Sequence, residues 1–443
     1  MKKNYGLVST IMMIVGICIG SGIFFKSDNV LIATNGSILF GVLLFCLAAM
    51  AIIFGSLTIS ELASRTDKEG GLVTYGEEFI SQKVGVAFGW FQTFIYFPTI
   101  TVVVSWVIGI YVSILFNLGD SLELQILIGL ISYIIIVLYN IFIPKLGMLF
   151  QNGTTIIKLI PLILLGLLGI IFGDPVTSIA NISADHVPTL AFLSALGPIA
   201  YSYDGWICAT SISQEVKDAK KTLPKALMIA PLLILGIYTL YFVGISSYVG
   251  VDNVMKLGDS HVFFAANQLF GPYFSKLITV FVIISVIGTV NGLTIAFIRM
   301  PYALAIRGDY IPLASKVRNI HSRYNIPVNS ALMSLVVGIF WFVIHYLFSK
   351  YNLTANSDIS EIAIAMSYLL YISLYYKVVK LYLSKEIKSI FKGIVSPILA
   401  TLGSFIIISG GMQNPNFIYY IIFCLLVMSV SLYYYYQHHK VKS

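Results

Sequence analysis

The chain has 443 residues, 58% of them hydrophobic and only 10% charged, with a mean hydropathy of +0.91. Soluble domains carry roughly 25% charged residues, so this composition excludes an ordinary soluble enzyme or binding module and predicts an all-α membrane protein of many spans. The net charge of +8 does not call for nucleic acid, because the placement of the basic residues accounts for it.

A helix that crosses a bilayer takes about 20 mostly apolar residues. The apolar runs give twelve, at roughly 8–32, 36–60, 84–116, 122–143, 147–172, 188–212, 225–248, 270–306, 328–348, 357–380, 391–409 and 416–437. Met1-Lys2-Lys3 leads straight into the first run, which is far longer than a signal-peptide core and has no cleavage site, so the first span is expected to stay. The first run contains Gly16-Ile17-Cys18-Ile19-Gly20-Ser21-Gly22-Ile23-Phe24. Gly20, Ser21 and Gly22 withdraw side-chain support from the helix and leave backbone groups accessible. At membrane depth such groups are tolerated only where they line a cavity or are buried in protein. Amides of Ser21, Gly22 and Ile23 at the start of a second half-helix would present a positive dipole end suited to a carboxylate. A β-carbon at residue 22 would then intrude on that approach. The plainer reading is a small-residue packing face.

The segment from Glu61 to Lys83 is too polar to span and reads as a loop with a short interfacial helix. Lys158 lies at the centre of the fifth span, more than ten residues from either end and too deep to snorkel easily. An intramembrane lysine marks a functional site by default. Its ammonium is expected to hold the broken first span through exposed carbonyls, either as a structural anchor or as a functional one. Lys26 is expected to reach an outer vestibule. Asp174 to Val187 has no Lys or Arg and reads as an external linker.

The sixth span breaks as the first does, at Gly197-Pro198-Ile199-Ala200-Tyr201-Ser202-Tyr203-Asp204-Gly205-Trp206. Pro198 lacks a donor and Gly205 permits unusual dihedrals. Asp204 is costly at this depth unless paired or wetted, and is expected to cap the resumed half-helix or pair locally. A proline kink for packing is the plainer alternative. Breaks in spans one and six correspond if the unit repeats every five spans, and paired broken helices point to a transporter site at an inverted-repeat interface. The expected organisation is therefore one transporter domain over 1–443. Its first repeat is 8–172, its inverted second repeat 188–382, and two extra helices lie at 391–437.

In the eighth span, Arg299 and Arg307 read as end anchors or gate pairs, and small residues permit close packing. The tyrosine runs at 375–376 and 433–436 read as interface belts, and the scattered histidines as interface groups. Most of the 27 Lys and Arg fall on one set of connections, which predicts cytoplasmic N- and C-termini in the cell inner (plasma) membrane. Cys18, Cys46, Cys208 and Cys424 all lie in apolar runs. They have no metal spacing, and no cofactor is implied. No convergent nucleophile and base exists, so an enzyme is not expected.

Several pieces, in this order and spacing, carry a family likeness: Ile19-Gly20-Ser21-Gly22-Ile23-Phe24, Glu69-Gly70-Gly71 with Tyr75, Gly89-Trp90 with Tyr96 and Pro98, and Lys158-Leu159. They continue with Tyr201 through Trp206, Glu215-Val216-Lys217, Leu223-Pro224-Lys225-Ala226, and Gly288 with Asn291-Gly292 and Arg299. Over about residues 5 to 437 the chain resembles the amino acid–polyamine–organocation superfamily. Within it, the likeness is to the L-type amino acid transporter branch and its bacterial serine/threonine and alanine–serine–cysteine exchangers. The resemblance implies a leucine-transporter-like fold of two inverted five-helix repeats, and sodium-independent exchange of small neutral L-amino acids. It implies that the amides of Ser21, Gly22 and Ile23 hold the substrate carboxylate and that the carbonyls of Cys18, Tyr201 and Asp204 take its ammonium. The Tyr201 ring would close the site from outside, and Lys158 would stand where sodium-coupled relatives place an ion; Gly20 and Gly205, at the two breaks, are read with them as coupling or gating residues.

The element Gln214-Glu215-Val216-Lys217-Asp218-Ala219 departs from the family pattern of two acidic residues. The loop Asn117 to Glu123 has no cysteine, which argues against a disulfide-linked heavy chain, and a monomer is the expected functional unit. The expected substrates are alanine, serine, cysteine and threonine. The alternative is a proton-coupled neutral amino acid symporter of the same fold, with buried Lys158 as the proton carrier.

Overall fold

The computed structural model describes residues 5–66, 68, 70–180, 196–353, 358–412 and 414–439. Glu69, most of the Asp174–Val187 linker with His186, and the side chains of Ser21, Lys26 and Tyr201 lie outside the described parts.

The first apolar run forms two helices, α1 (Leu7–Cys18) and α2 (Ser21–Ala33). The break is short. Ile19 turns the chain at φ −77°, ψ 86°, and Gly20 adopts φ −122°, ψ −136°. Ser37 then caps α3 (Ile38–Ala63), its hydroxyl accepting from the Phe40 amide at 3.3 Å. The polar loop does contain a helix, α4 (Leu72–Phe79), but Leu72 to Gly76 are buried, so it is tucked into the protein rather than laid on an interface. The third span is α5 (Gln82–Phe91) continued through a π-helical turn at Gln92–Tyr96 into α6 (Phe97–Phe116). α7 (Leu122–Phe142) and α8 (Pro144–Phe172) follow, Pro144 opening α8 where its missing N–H has no helical partner to lose. α9 (Pro175–Ala180) begins the linker.

The sixth span is α10 (Leu196–Tyr203), a turn at Asp204–Ile207 with Gly205 at φ +93°, and a 3₁₀ run at Cys208–Glu215. It does not resume as an α-helix, and Ile212 departs from helical dihedrals within the 3₁₀ run. Then come α11 (Ala219–Val249), the short α12 (Val251–Leu257) and α13 (His261–Phe270), the 34-residue α14 (Pro272–Ala305), and α15 (Ala314–Val317). α16 (Val328–Lys350), α17 (Glu361–Leu383), α18 (Ser396–Gly411) and α19 (Phe417–His439) complete the chain. Ten helices are long and apolar enough to cross a membrane, and the two broken spans bring the described segments to the expected twelve.

Burial ranks the spans by role. The apolar window of α14 is 83% buried and that of α19 only 11%. α14 runs through the middle against α1, α6 and α8, whereas α19 lies at the periphery. The tyrosine runs divide accordingly: Tyr375 and Tyr435 are buried while Tyr376 and Tyr433 are exposed. His261 and His345 are buried rather than interfacial. His261 donates through Nδ1 to the Gly258 carbonyl at 2.6 Å.

Candidate substrate site at the two helix breaks

The breaks of spans one and six meet in the middle of the bundle, with α2 packed on α10. A small cavity of about 20 Å³ is lined by Cys18, Gly20, Gly22, Asp204, Thr289 and an apolar wall of Ile17, Ile100, Val104 and Leu293. That is room for about one water molecule, so the two breaks lie nearly closed on each other. α2 starts at Ser21 with no side-chain cap. The first amides of a helix have no intrahelical acceptor, so those of Ser21, Gly22 and Ile23 are the groups the break leaves over. The cavity wall is thus mostly apolar, with the backbone at the breaks, Asp204 and Thr289 as its polar part.

Three side chains hold this geometry. Lys158, fully buried on α8, donates to the Gly16 carbonyl at 2.5 Å and to Thr289 Oγ1 at 3.0 Å. It therefore ties α8 to the last turn of α1 and to α14, through neutral acceptors. Tyr238 on α11 places its hydroxyl 2.9 Å from the Cys18 carbonyl and 2.5 Å from the Ser202 carbonyl. One hydroxyl proton thus serves a carbonyl of each broken span by turns. Tyr96, in the π-helical turn, donates to Asp204 Oδ2 at 2.6 Å, and Oδ1 is left without a side-chain partner. Asp204 therefore pairs across the bundle with a tyrosine of span three rather than capping a resumed half-helix.

Two glycines are there for space. A β-carbon on Gly16 would lie 2.1 Å from Thr155 Oγ1 and 2.7 Å from Gln151 Nε2, so α1 and α8 touch where Lys158 bonds. A β-carbon on Gly22 would lie 2.6 Å from Ser202 Cα. It points at the other broken helix rather than into the carboxylate's approach.

The expected site residues divide as follows. Cys18, Gly20, Gly22 and Asp204 line the cavity, Lys158 sits directly behind it, and Gly205 forms the turn next to it with positive φ. Of Ser21, Ile23 and Tyr201, the backbone lies at the two breaks. Tyr238 was not legible, because nothing in sequence separates it from the other 27 tyrosines. The aliphatic wall was equally hidden, since Ile100, Val104 and Leu293 look like any span residue. Tyr96 belonged to a matched motif, but only the structure gives it Asp204 as a partner.

Beyond the second break, the chain before α1 is fastened to the segment that follows the 3₁₀ run. Tyr5 donates its amide to the Glu215 carbonyl at 3.0 Å, and its own carbonyl accepts from Lys217 N at 2.8 Å. Glu215 is in turn clamped by Arg299, whose Nη2 lies 2.8 Å and Nε 2.9 Å from Oε1, and both side chains are about nine-tenths buried. Arg299 and Glu215 thus form a buried ion pair. Further along, Arg307 pairs with Glu77 at 2.5 Å.

The profile of the family described as "Amino acid permease" matches residues 5–435. The chain belongs to that family. This permease is 30% identical over 413 residues to the serine/threonine exchanger SteT of Bacillus subtilis (strain 168), covering 92% of this chain and 91% of the relative. It is 27% identical over 343 residues to the human Asc-type amino acid transporter 1, covering 75% of this chain and 64% of that one. Among solved structures, MhsT in complex with L-phenylalanine superposes on the permease with a TM-score of 0.66 at 13% identity, over 93% of this chain and 99% of that one. At that identity the likeness speaks for the fold alone, and it places the permease in the leucine-transporter-like class. Amino acid transport across a membrane is the family's work, and the permease is not an enzyme.

Proposed function

We propose that the permease exchanges small neutral L-amino acids (alanine, serine, cysteine and threonine) without sodium, by alternating access around the two breaks. The observation that carries this reading is the Lys158 ammonium, bonded to the Gly16 carbonyl and Thr289 hydroxyl immediately behind the cavity. An ammonium held there places positive charge beside the break, where a bound metal cation would otherwise supply it, so the cycle needs none. The cavity supplies the rest. Amides of Ser21, Gly22 and Ile23 take the carboxylate. Carbonyls of Cys18, Tyr201 and Asp204 take the ammonium, and the aliphatic wall with its small volume favours short side chains. Similarity to a serine/threonine exchanger and to Asc-type transporters points the same way. The Tyr201 ring serves as the outer lid, and Gly20 and Gly205 as coupling or gating residues at the two breaks. The termini are cytoplasmic, the repeats are 8–172 and 188–382, and a single protomer without a disulfide-linked heavy chain carries the activity in the plasma membrane.

The test is uptake of labelled serine into proteoliposomes preloaded with unlabelled serine, in choline medium. Uptake should persist and should depend on the internal amino acid. Loss on sodium removal would overturn sodium independence. Accumulation into empty vesicles driven by a pH gradient would replace exchange by proton symport. Asp204 among the cavity's lining residues favours one second reading, acceptance of a cationic side chain. Competition of serine uptake by arginine and lysine would establish it.

A further inference from the structure

α19 is attached to the protein mainly at its two ends. Near Tyr5's face, the Tyr435 hydroxyl donates to Gln82 Oε1 at 3.0 Å and its ring packs on Tyr310 at 5.2 Å, while Tyr434 packs on Trp90 at 5.7 Å. At the opposite end Asn416 Nδ2 donates to the Leu353 carbonyl at 2.7 Å. Between α16 and α19 lies a cavity of about 480 Å³, walled by rings and aliphatic side chains including Phe340, Ile344 and Tyr419. Two ring contacts bridge the helices along it, Trp341–Phe423 at 6.2 Å and Phe348–Tyr420 at 6.1 Å.

We propose that this slot binds one acyl chain of a membrane phospholipid, with the ester end toward Asn416 and Tyr420. The surroundings exclude water. Both helices are spans, and Phe340, Val343, Tyr419 and Phe423 are exposed toward the bilayer. The shape excludes a second copy of the chain. The two ring contacts are seven residues apart on α16, about 10 Å of helix rise, and a packed helix is about 10–12 Å across with its side chains. No helix seats between them, whereas an unbranched chain threads along the slot. The polarity fixes the direction. Asn416, Tyr419 and Tyr420 carry the polar atoms of the slot and lie at one end. The Tyr420 hydroxyl is buried with no hydrogen-bond partner among the described residues. A buried hydroxyl requires an acceptor, and the ester carbonyl at the head of an acyl chain is one.

The experiment uses the full chain in bilayers containing phosphatidylglycerol with a diazirine midway along one acyl chain. After irradiation the adducts are mapped by mass spectrometry. Labelling of 340–348 and 416–423 should exceed, several-fold, that of Leu127, Ile131 and Ile135 on α7, which are about as exposed and see only bulk lipid. Ile344→Trp should fill the slot and reduce its labelling to the α7 level while serine transport continues. Should that variant not fold, Leu353→Trp closes the slot at its mouth instead. Equal labelling of both faces would mean annular lipid only and overturn the proposal. So would an unlabelled slot whose two copies cross-link through Tyr419→Cys, because the face would then be a dimer contact.

Discussion

Gly22→Ala tests how closely the two broken spans approach. The added carbon would lie 2.6 Å from Ser202 Cα, 2.8 Å from its Oγ and 3.1 Å from its Cβ. Carbon pairs settle at about 3.5–4.0 Å, so α2 and α10 would have to separate by roughly 1 Å at this point. Overpacking of this kind costs about 1–3 kcal/mol. The cost falls on the arrangement that assembles the cavity, so serine affinity should fall by about 5- to 150-fold. Ser202→Gly in the same chain removes Oγ and Cβ but leaves Cα, the nearest atom. It should therefore restore only part of the loss. Binding of labelled serine to the purified variants, alongside their melting temperatures, gives both numbers. If Gly22→Ala binds as tightly as the parent, the half-helices are not in contact in the binding conformation and the reasoning fails. Full restoration by Ser202→Gly would show that the collision is with a side chain alone.

Lys158→Met removes two charge-assisted hydrogen bonds of about 1.5–3 kcal/mol each, and should abolish exchange in proteoliposomes while membrane insertion and yield stay normal. Tyr238→Phe loses the proton shared between the Cys18 and Ser202 carbonyls. At the about 0.6–1.7 kcal/mol measured for hydrogen bonds within membranes, serine KM should rise about threefold to twentyfold, read by uptake kinetics with protein level as the control. Glu215→Gln leaves the buried Arg299 guanidinium unpaired. It should lower stability by about 3–5 kcal/mol, seen as a lower melting temperature that Arg299→Met in the same chain largely restores.

Periodicity made the spans legible because a membrane helix must satisfy its own backbone, and only a long apolar run does so. The breaks were legible for the converse reason, since glycine, serine and proline are out of place there. What followed each break was not. Span six continues as a 3₁₀ run because Gly205 and the Cys208–Glu215 segment are held by neighbours such as Tyr5 and Arg299, distant in sequence. Lys158 announced itself by its depth, whereas the role of Gly16 depends on Thr155 standing opposite. The face of Gly22 needed coordinates too, because a glycine gives no sign of where its missing carbon would point. Polarity and punctuation are written in one residue, and adjacency takes two.

The bridge between Tyr5 and the Glu215–Lys217 strand is made of main-chain atoms. Substitutions at either side therefore leave its hydrogen bonds in place as long as the residue keeps its N–H. An alanine scan across these positions would pass over it, reporting only on the side chains, with Glu215 prominent because of Arg299. Exposed Lys217 can vary freely while the bridge endures, and buried Tyr5 as far as its packing allows, with one exception at both. Proline has no N–H to give, so at either residue it deletes one strand of the fastening and leaves the charge pattern of the face otherwise undisturbed at Tyr5. The bridge is thus insulated from most of the genetic variation that side-chain contacts must resist.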